Sequence, residues 1–233
     1  MEVGFRLSGA PCILYGGDSE FSPMSVTGIR PCVPSLLQKG LLFVAALSSS
    51  VMCSAQQGPE GGGHEVRAWT GGGYTVPGGT KDTGVWNLGL RYGWILTGPH
   101  GPGFLKGRFE YAVDAVPAFL VFQPANTAYG AGIDPVGLKW NFAGRGRWSP
   151  YLELAGGVLF TSHDVPPGTS PVNFLSSLAL GTHLLGPGYD WSLEARYMHI
   201  SNAGLATPNP GINTVQIRIG IGRFFPGKEH AKK

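Results

Sequence analysis

The chain is 233 residues long, enough for one domain or at most two, and it combines 42% hydrophobic with 13% charged residues and 38 glycines. That charge content is about half the roughly 25% of an ordinary soluble domain. The glycines follow no G-X-Y period, which excludes a collagen-like chain and favours many short strands with tight bends. A formal net charge of +3, with its one dense basic stretch in the tail, is too small for a nucleic-acid partner.

Residues 1–55 read as a leader that contains a signal peptide. Arg30 and Lys39 precede the apolar run LLFVAAL at 41–47, and small residues follow around Cys53, Ser54 and Ala55. This is the charged, apolar, small-residue order of an export signal, with cleavage after Ala55. The run is too short to span a bilayer as a helix, which takes about 20 apolar residues. Met24 gives a signal of more ordinary length, so translation from Met24 is expected. A lipoprotein signal ending at Cys53 is the second reading, but Met52 stands where a small residue is needed. Cys12, Cys32 and Cys53 all precede the cut, so the mature chain holds neither a disulfide nor a thiolate metal site. No His, Asp or Glu cluster has ligand spacing either, and no metal or other cofactor is expected.

Residues 56–63 form a Gly-rich, flexible lead-in. From there eight alternating runs separated by turn clusters predict strands over His64–Tyr74, Trp86–Thr97, Gly103–Phe122, Tyr129–Ala143, Tyr151–Ser162, Phe174–Leu185, Tyr189–Ser201 and Asn213–Phe225. Residues 226–233 are a basic tail. In the second run Leu88, Leu90, Tyr92, Trp94 and Leu96 alternate with Asn87, Gly89, Arg91 and Gly93. In the fourth, Val136, Leu138, Trp140 and Phe142 alternate with Gly137, Lys139 and Asn141. A soluble sandwich or lipocalin-like barrel would turn its apolar faces inward. The tryptophans gather toward strand ends, as an interfacial girdle requires, and charges line the face opposite the aromatics. The fold class is therefore all-β: an eight-stranded antiparallel transmembrane β-barrel over 64–225, preceded by a cleavable signal segment. Small glycines and paired charges are expected to fill the interior, which disfavours a diffusion pore.

With both termini periplasmic, Gly186, Pro187 and Gly188 make a short inner turn and the seventh strand rises to the outer rim. Residues two apart on a strand share a face, so His199 and Ser201 lie side by side on the apolar, lipid-facing side with Trp191, Leu193 and Tyr197. Phe174 opens the neighbouring sixth strand and Asn213 the eighth, so all four converge on one patch in the outer leaflet. A hydroxyl beside an imidazole is the core of a serine hydrolase. His-x-Ser is also frequent by chance, and an interfacial histidine beside a turn serine is the plainer reading.

The segment HISNAGL at 199–205, followed by Pro208, Asn209, Gly211 and Ile212, resembles the active-site segment of the PagL-type lipid A 3-O-deacylases, outer-membrane β-barrel esterases. The likeness extends more weakly through Asn173-Phe174, the 151–162 strand and Pro135–Ala143. It implies His199 as general base, Ser201 as nucleophile, and Asn202 with the amides near Ala203 and Gly204 as oxyanion support. It implies Phe174 as an acyl-groove aromatic. The implied setting is the Gram-negative outer membrane, with the lipid A of lipopolysaccharide as substrate; a homodimer is left open. One position departs: the triad acid of the family is a glutamate, and Asn213 stands there. An asparagine carbonyl still accepts from the imidazole but carries no charge to stabilise the imidazolium. Three readings stay open: a working Ser-His-Asn triad, a substitute carboxylate (Asp164 in the preceding outer loop), or a non-catalytic structural or surface barrel. His163 beside Asp164 reads as an exposed loop residue.

Overall fold

The structure, a computed structural model, describes residues 58–227. The leader 1–55 and the end of the tail, 228–233, lie outside the described residues. Eight strands follow in order: β1 (His64–Thr75), β2 (Gly84–Ile95), β3 (Gly107–Phe122), β4 (Thr127–Phe142), β5 (Trp148–Thr161), β6 (Val172–Leu184), β7 (Asp190–Ser201) and β8 (Ile212–Phe225). Each pairs antiparallel with its neighbours, and β1 closes on β8 from His64↔Phe225 to Thr75↔Thr214, so the sheet has no free edge. The residues expected to begin the third strand form a short 3-10 turn instead, Gly103–Leu105. Gly62 and Gly63 of the lead-in are bonded to Ile95, which extends the pairing below β1.

The exterior carries the apolar residues. Leu90, Leu138, Leu154, Leu180, Leu193 and Ile217 all face outward and are exposed. A closed barrel with such a surface is stable only against lipid, so the fold is that of a transmembrane barrel. Along the periplasmic rim Tyr92 meets Trp94 edge to face and Trp94 stacks on Tyr111, and Trp140, Trp148 and Trp191 stand at the same end. Aromatic girdles of this kind sit at the bilayer interface.

The lumen is filled in two different ways. Its inner half is a network of ion pairs, some between neighbouring strands and some across the lumen. Lys139 on β4 reaches Glu65 on β1 at 2.5 Å and Glu110 on β3 at 3.1 Å. Arg91 on β2 clasps Asp114 at 2.8 Å and crosses the lumen to Glu153 on β5, which also takes Arg196 of β7 at 2.6 Å. Glycines give these side chains room: a Cβ on Gly89 would strike the Trp69 indole, and one on Gly181 the Tyr151 ring.

The outer half corrects the expected filling. Val85, Val116, Phe119, Val121, Leu159 and Ile200 are buried there as one apolar cluster, rather than glycines and charges. Strict alternation along β3 would point Phe119 and Val121 at lipid. The register against β2 and β4 shifts between Val116 and Phe119, and the inward set changes parity. The extra residue falls at Pro117–Ala118, and a second shift on β4, between Ile133 and Val136, falls at Pro135. Proline offers no N–H to the ladder, so a bulge is where a strand interior tolerates it.

Candidate active site

The upper end of β7 brings the residues together. Met198 and Ile200 point inward and are fully buried, whereas His199 and Ser201 alternate outward and are half-buried. Antiparallel register then supplies their neighbours. β6 sets Phe174 directly across from Ser201, and β8 sets Asn213 directly across from His199. Directly opposed side chains on one face have Cβ atoms about 5 Å apart, close enough for contact. Phe174 is 39% exposed and joins Tyr197, Leu178 and Val215 in an apolar surface around the hydroxyl.

His199 Nδ1 lies 2.6 Å from Asn213 Oδ1. A carbonyl oxygen only accepts, so Nδ1 carries the proton and Nε2 keeps its lone pair. Asn213 is outward-facing, like Val215 and Ile217, yet only 6% exposed. The β1–β2 loop covers it. Val76 N–H donates to the Asn213 carbonyl at 2.8 Å, and Thr80 N–H donates to the Gly211 carbonyl at 2.9 Å. A Cβ on Gly78 would come within 2.9 Å of Asn213 Nδ2, and one on Gly211 within 2.7 Å of the imidazole Cε1. Gly211 also has a φ of 65°, so both space and backbone conformation select glycine there. The imidazole and the amide are thus walled in by backbone.

The β7–β8 loop is organised by Asn202, which is 1% exposed. Its Oδ1 accepts from Gly204 N–H at 2.9 Å and its Nδ2 donates to the Ala206 carbonyl at 3.1 Å. Leu205 N–H closes on the Asn202 carbonyl at 3.0 Å over Ala203 and Gly204, whose φ angles are 51° and 85°. Two positive φ values with this closing bond make a type I′ turn, and Ala203 at its first corner is a non-glycine residue in left-handed backbone. In this arrangement Asn202 shapes the turn, and the Gly204 N–H expected for an oxyanion is committed to it. A residue the sequence reading gave no role stands nearby: Asn209 Oδ1 accepts from Asn202 N–H at 3.2 Å. That bond orients the Asn209 amide beside Ser201 with its Nδ2 unused among the described hydrogen bonds. The signal for it was its place within the motif, not its chemistry.

Asp164 does not stand in for the acid. It lies in the β5–β6 loop with its carbonyl accepting from Gln123 Nε2 at 3.0 Å, while His199 Nδ1 is already paired with Asn213. His163 is exposed and bonds Ser162. Among the described residues no three His, Cys, Asp or Glu side chains converge as metal ligands. The Ser201 hydroxyl makes no hydrogen bond among the described residues.

The family model described as lipid A 3-O-deacylase (PagL) matches residues 80–222, from the loop over Asn213 to the lower part of β8. The chain belongs to that family. Among solved structures it is similar to the outer membrane enzyme PagL, at 23% identity over 67% of this chain and 97% of that one, with a TM-score of 0.51. It is also similar to Neisserial surface protein A (14% identity, 69% of this chain and 95% of that one, TM-score 0.42). The outer membrane protein AlkL matches at 13% identity over 76% and 95%, with a TM-score of 0.39. No curated protein sequence matches. The likeness to the PagL structure carries the fold; membership of the PagL family rests on the model match.

Proposed function

We propose that this outer-membrane barrel is a serine esterase that removes the 3-O-linked hydroxyacyl chain of lipid A. The observation that carries this reading is the 2.6 Å contact between His199 Nδ1 and Asn213 Oδ1, on the same outward face as Ser201. The contact fixes the tautomer a general base needs. Ser201 Oγ attacks the ester carbonyl while its proton passes to His199 Nε2. The oxyanion is held by Asn209 Nδ2 and the Ala203 N–H. As the tetrahedral intermediate collapses, His199 returns the proton to the departing sugar oxygen. Water then repeats the sequence on the acyl-enzyme and releases the hydroxy fatty acid. Phe174, Tyr197 and Val215 hold the acyl chain, which need not leave the bilayer to react.

Asn213 accepts a hydrogen bond but adds no charge. Its other face is a donor, so it holds the imidazole tautomer less firmly than a carboxylate. Exchanging acid for amide in a serine protease lowers turnover by roughly 10⁴. That neutral residue favours a second reading, a non-catalytic structural or surface barrel. Mass spectrometry of lipid A incubated with the refolded barrel and with Ser201→Ala separates the two. Loss of one hydroxyacyl mass with the unsubstituted chain alone is the expected result. No mass change with either protein, both showing heat-modifiable gel migration, leaves the non-catalytic reading.

A further inference from the structure

The described residues hold eleven lysines and arginines, and their placement is uneven. Arg67, Arg91, Lys139, Arg196 and Arg218 are buried in the lumen. Lys106, Arg108, Arg145, Arg147 and Arg223 stand at the periplasmic mouth, in or next to the inner turns. Lys81 remains, exposed, in the β1–β2 loop. It is the one lysine or arginine among the described residues that lies in an outer connection.

Its backbone is fixed against the candidate site. Thr80, the preceding residue, donates its N–H to the Gly211 carbonyl at 2.9 Å, and Gly211 packs on the His199 ring. Thr83 Oγ1 donates to the Lys81 carbonyl at 3.1 Å, and Thr75 N–H closes the base of the loop on the Thr83 carbonyl at 3.0 Å. Asp82 and Asp164 are the acids of the outer connections, so no general basic field surrounds Lys81. Lipid A is a phosphorylated disaccharide, and an ammonium on an anchored backbone is suited to hold a phosphate as a point charge.

We infer that Lys81 is a substrate-anchoring residue: its ammonium binds a phosphate monoester on the sugar headgroup and positions the neighbouring ester at Ser201. This assignment rests on the deacylase reading above. The test compares lipid A bearing its phosphates with the same lipid stripped by a phosphatase, in detergent micelles, using the full chain. For Lys81→Ala, KM for the phosphorylated lipid rises roughly 10-fold while kcat changes little, as expected for loss of a charge-assisted hydrogen bond. The preference for phosphorylated lipid disappears with it. Lys81→Arg retains the preference, and Asp82→Asn strengthens it. An unchanged preference in Lys81→Ala overturns the assignment. Excess inorganic phosphate occupies the same ammonium, so it raises KM for the phosphorylated lipid in the unsubstituted chain and leaves that of Lys81→Ala unchanged. If no lipid is turned over, it is the deacylase reading that has failed. The anchor is then decided by native mass spectrometry of the two lipids on the barrel: a phosphate preference abolished by Lys81→Ala upholds it, and one left intact overturns it.

Discussion

The two halves of the lumen are enclosed by the same alternating wall and filled by opposite chemistry. The periplasmic half is stapled by charges, with Lys139 between Glu65 and Glu110, and Arg91 and Arg196 meeting on Glu153. The outer half holds an apolar cluster that includes Phe119, Val121, Leu159, Met198, Ile200 and Ile212. The difference follows the chemistry outside. His199 and Ser201 alternate with Met198 and Ile200 on one strand, so whatever packs the inside of β7 sets the position of the outward pair. An apolar fill gives that strand end a rigid, close-packed backing. In the other half, pairs such as Arg91–Glu153 and Lys139–Glu65 join strands far apart in the sheet, and loss of one partner would leave the other as an uncompensated buried charge.

Substitutions in the two halves should therefore separate rate from stability. The largest effect is on rate: His199→Ala should lower deacylation of lipid A by about 10⁴ or more, with the heat-unfolding transition unmoved. Asn213→Glu should act in the opposite sense, raising kcat by up to roughly 10⁴. A drop instead would show that the pocket formed by Gly78 and Gly211 is shaped for an amide. Arg91→Ala should do the reverse of His199→Ala: stranding Asp114 and Glu153 should cost about 3–5 kcal/mol in denaturant titration, while turnover per folded molecule stays within a small factor. Ile200→Ala joins the two properties. Its cavity should cost about 2–4 kcal/mol and also slow turnover, because the backing of Ser201 softens. Phe174→Ala should have the smallest effect, a rise in KM of roughly 10-fold from lost acyl contact with kcat nearly constant. If Ile200→Ala destabilised without slowing turnover, the apolar half would be mere filling.

Much of this was legible in the chain. Alternation with a period of two placed every strand within a few residues and put His199 beside Ser201 on the lipid side, since facing is a local property of extended backbone. The turn residues punctuated the runs, and the HISNAG segment carried the family. What escaped was the parity change on β3 and β4. Pro117 and Pro135 were visible as strand prolines, but that each marks a bulge shows only in the pairing with β2, β4 and β5. Counting faces straight through Pro117 sends Phe119 the wrong way. The roles around Asn202 escaped as well. A motif names the residues, but which amide is spent on the type I′ turn and which is left to donate depends on the fold of the loop.

The sequence by itself therefore determined the strands and which residues share a face, because facing is local to extended backbone, and the charges opposite the apolar face with tryptophans at the strand ends pointed that face at lipid. The tertiary structure alone decided the register that sets Asn213 Oδ1 2.6 Å from His199 Nδ1, that Gly78 and Gly211 wall in the pair, and that the loop carrying Lys81 is bonded to Gly211 and Asn213. Those contacts join the ends of strands and loops far apart in the chain. They exist only once barrel closure has set the register of β8 against both β7 and β1.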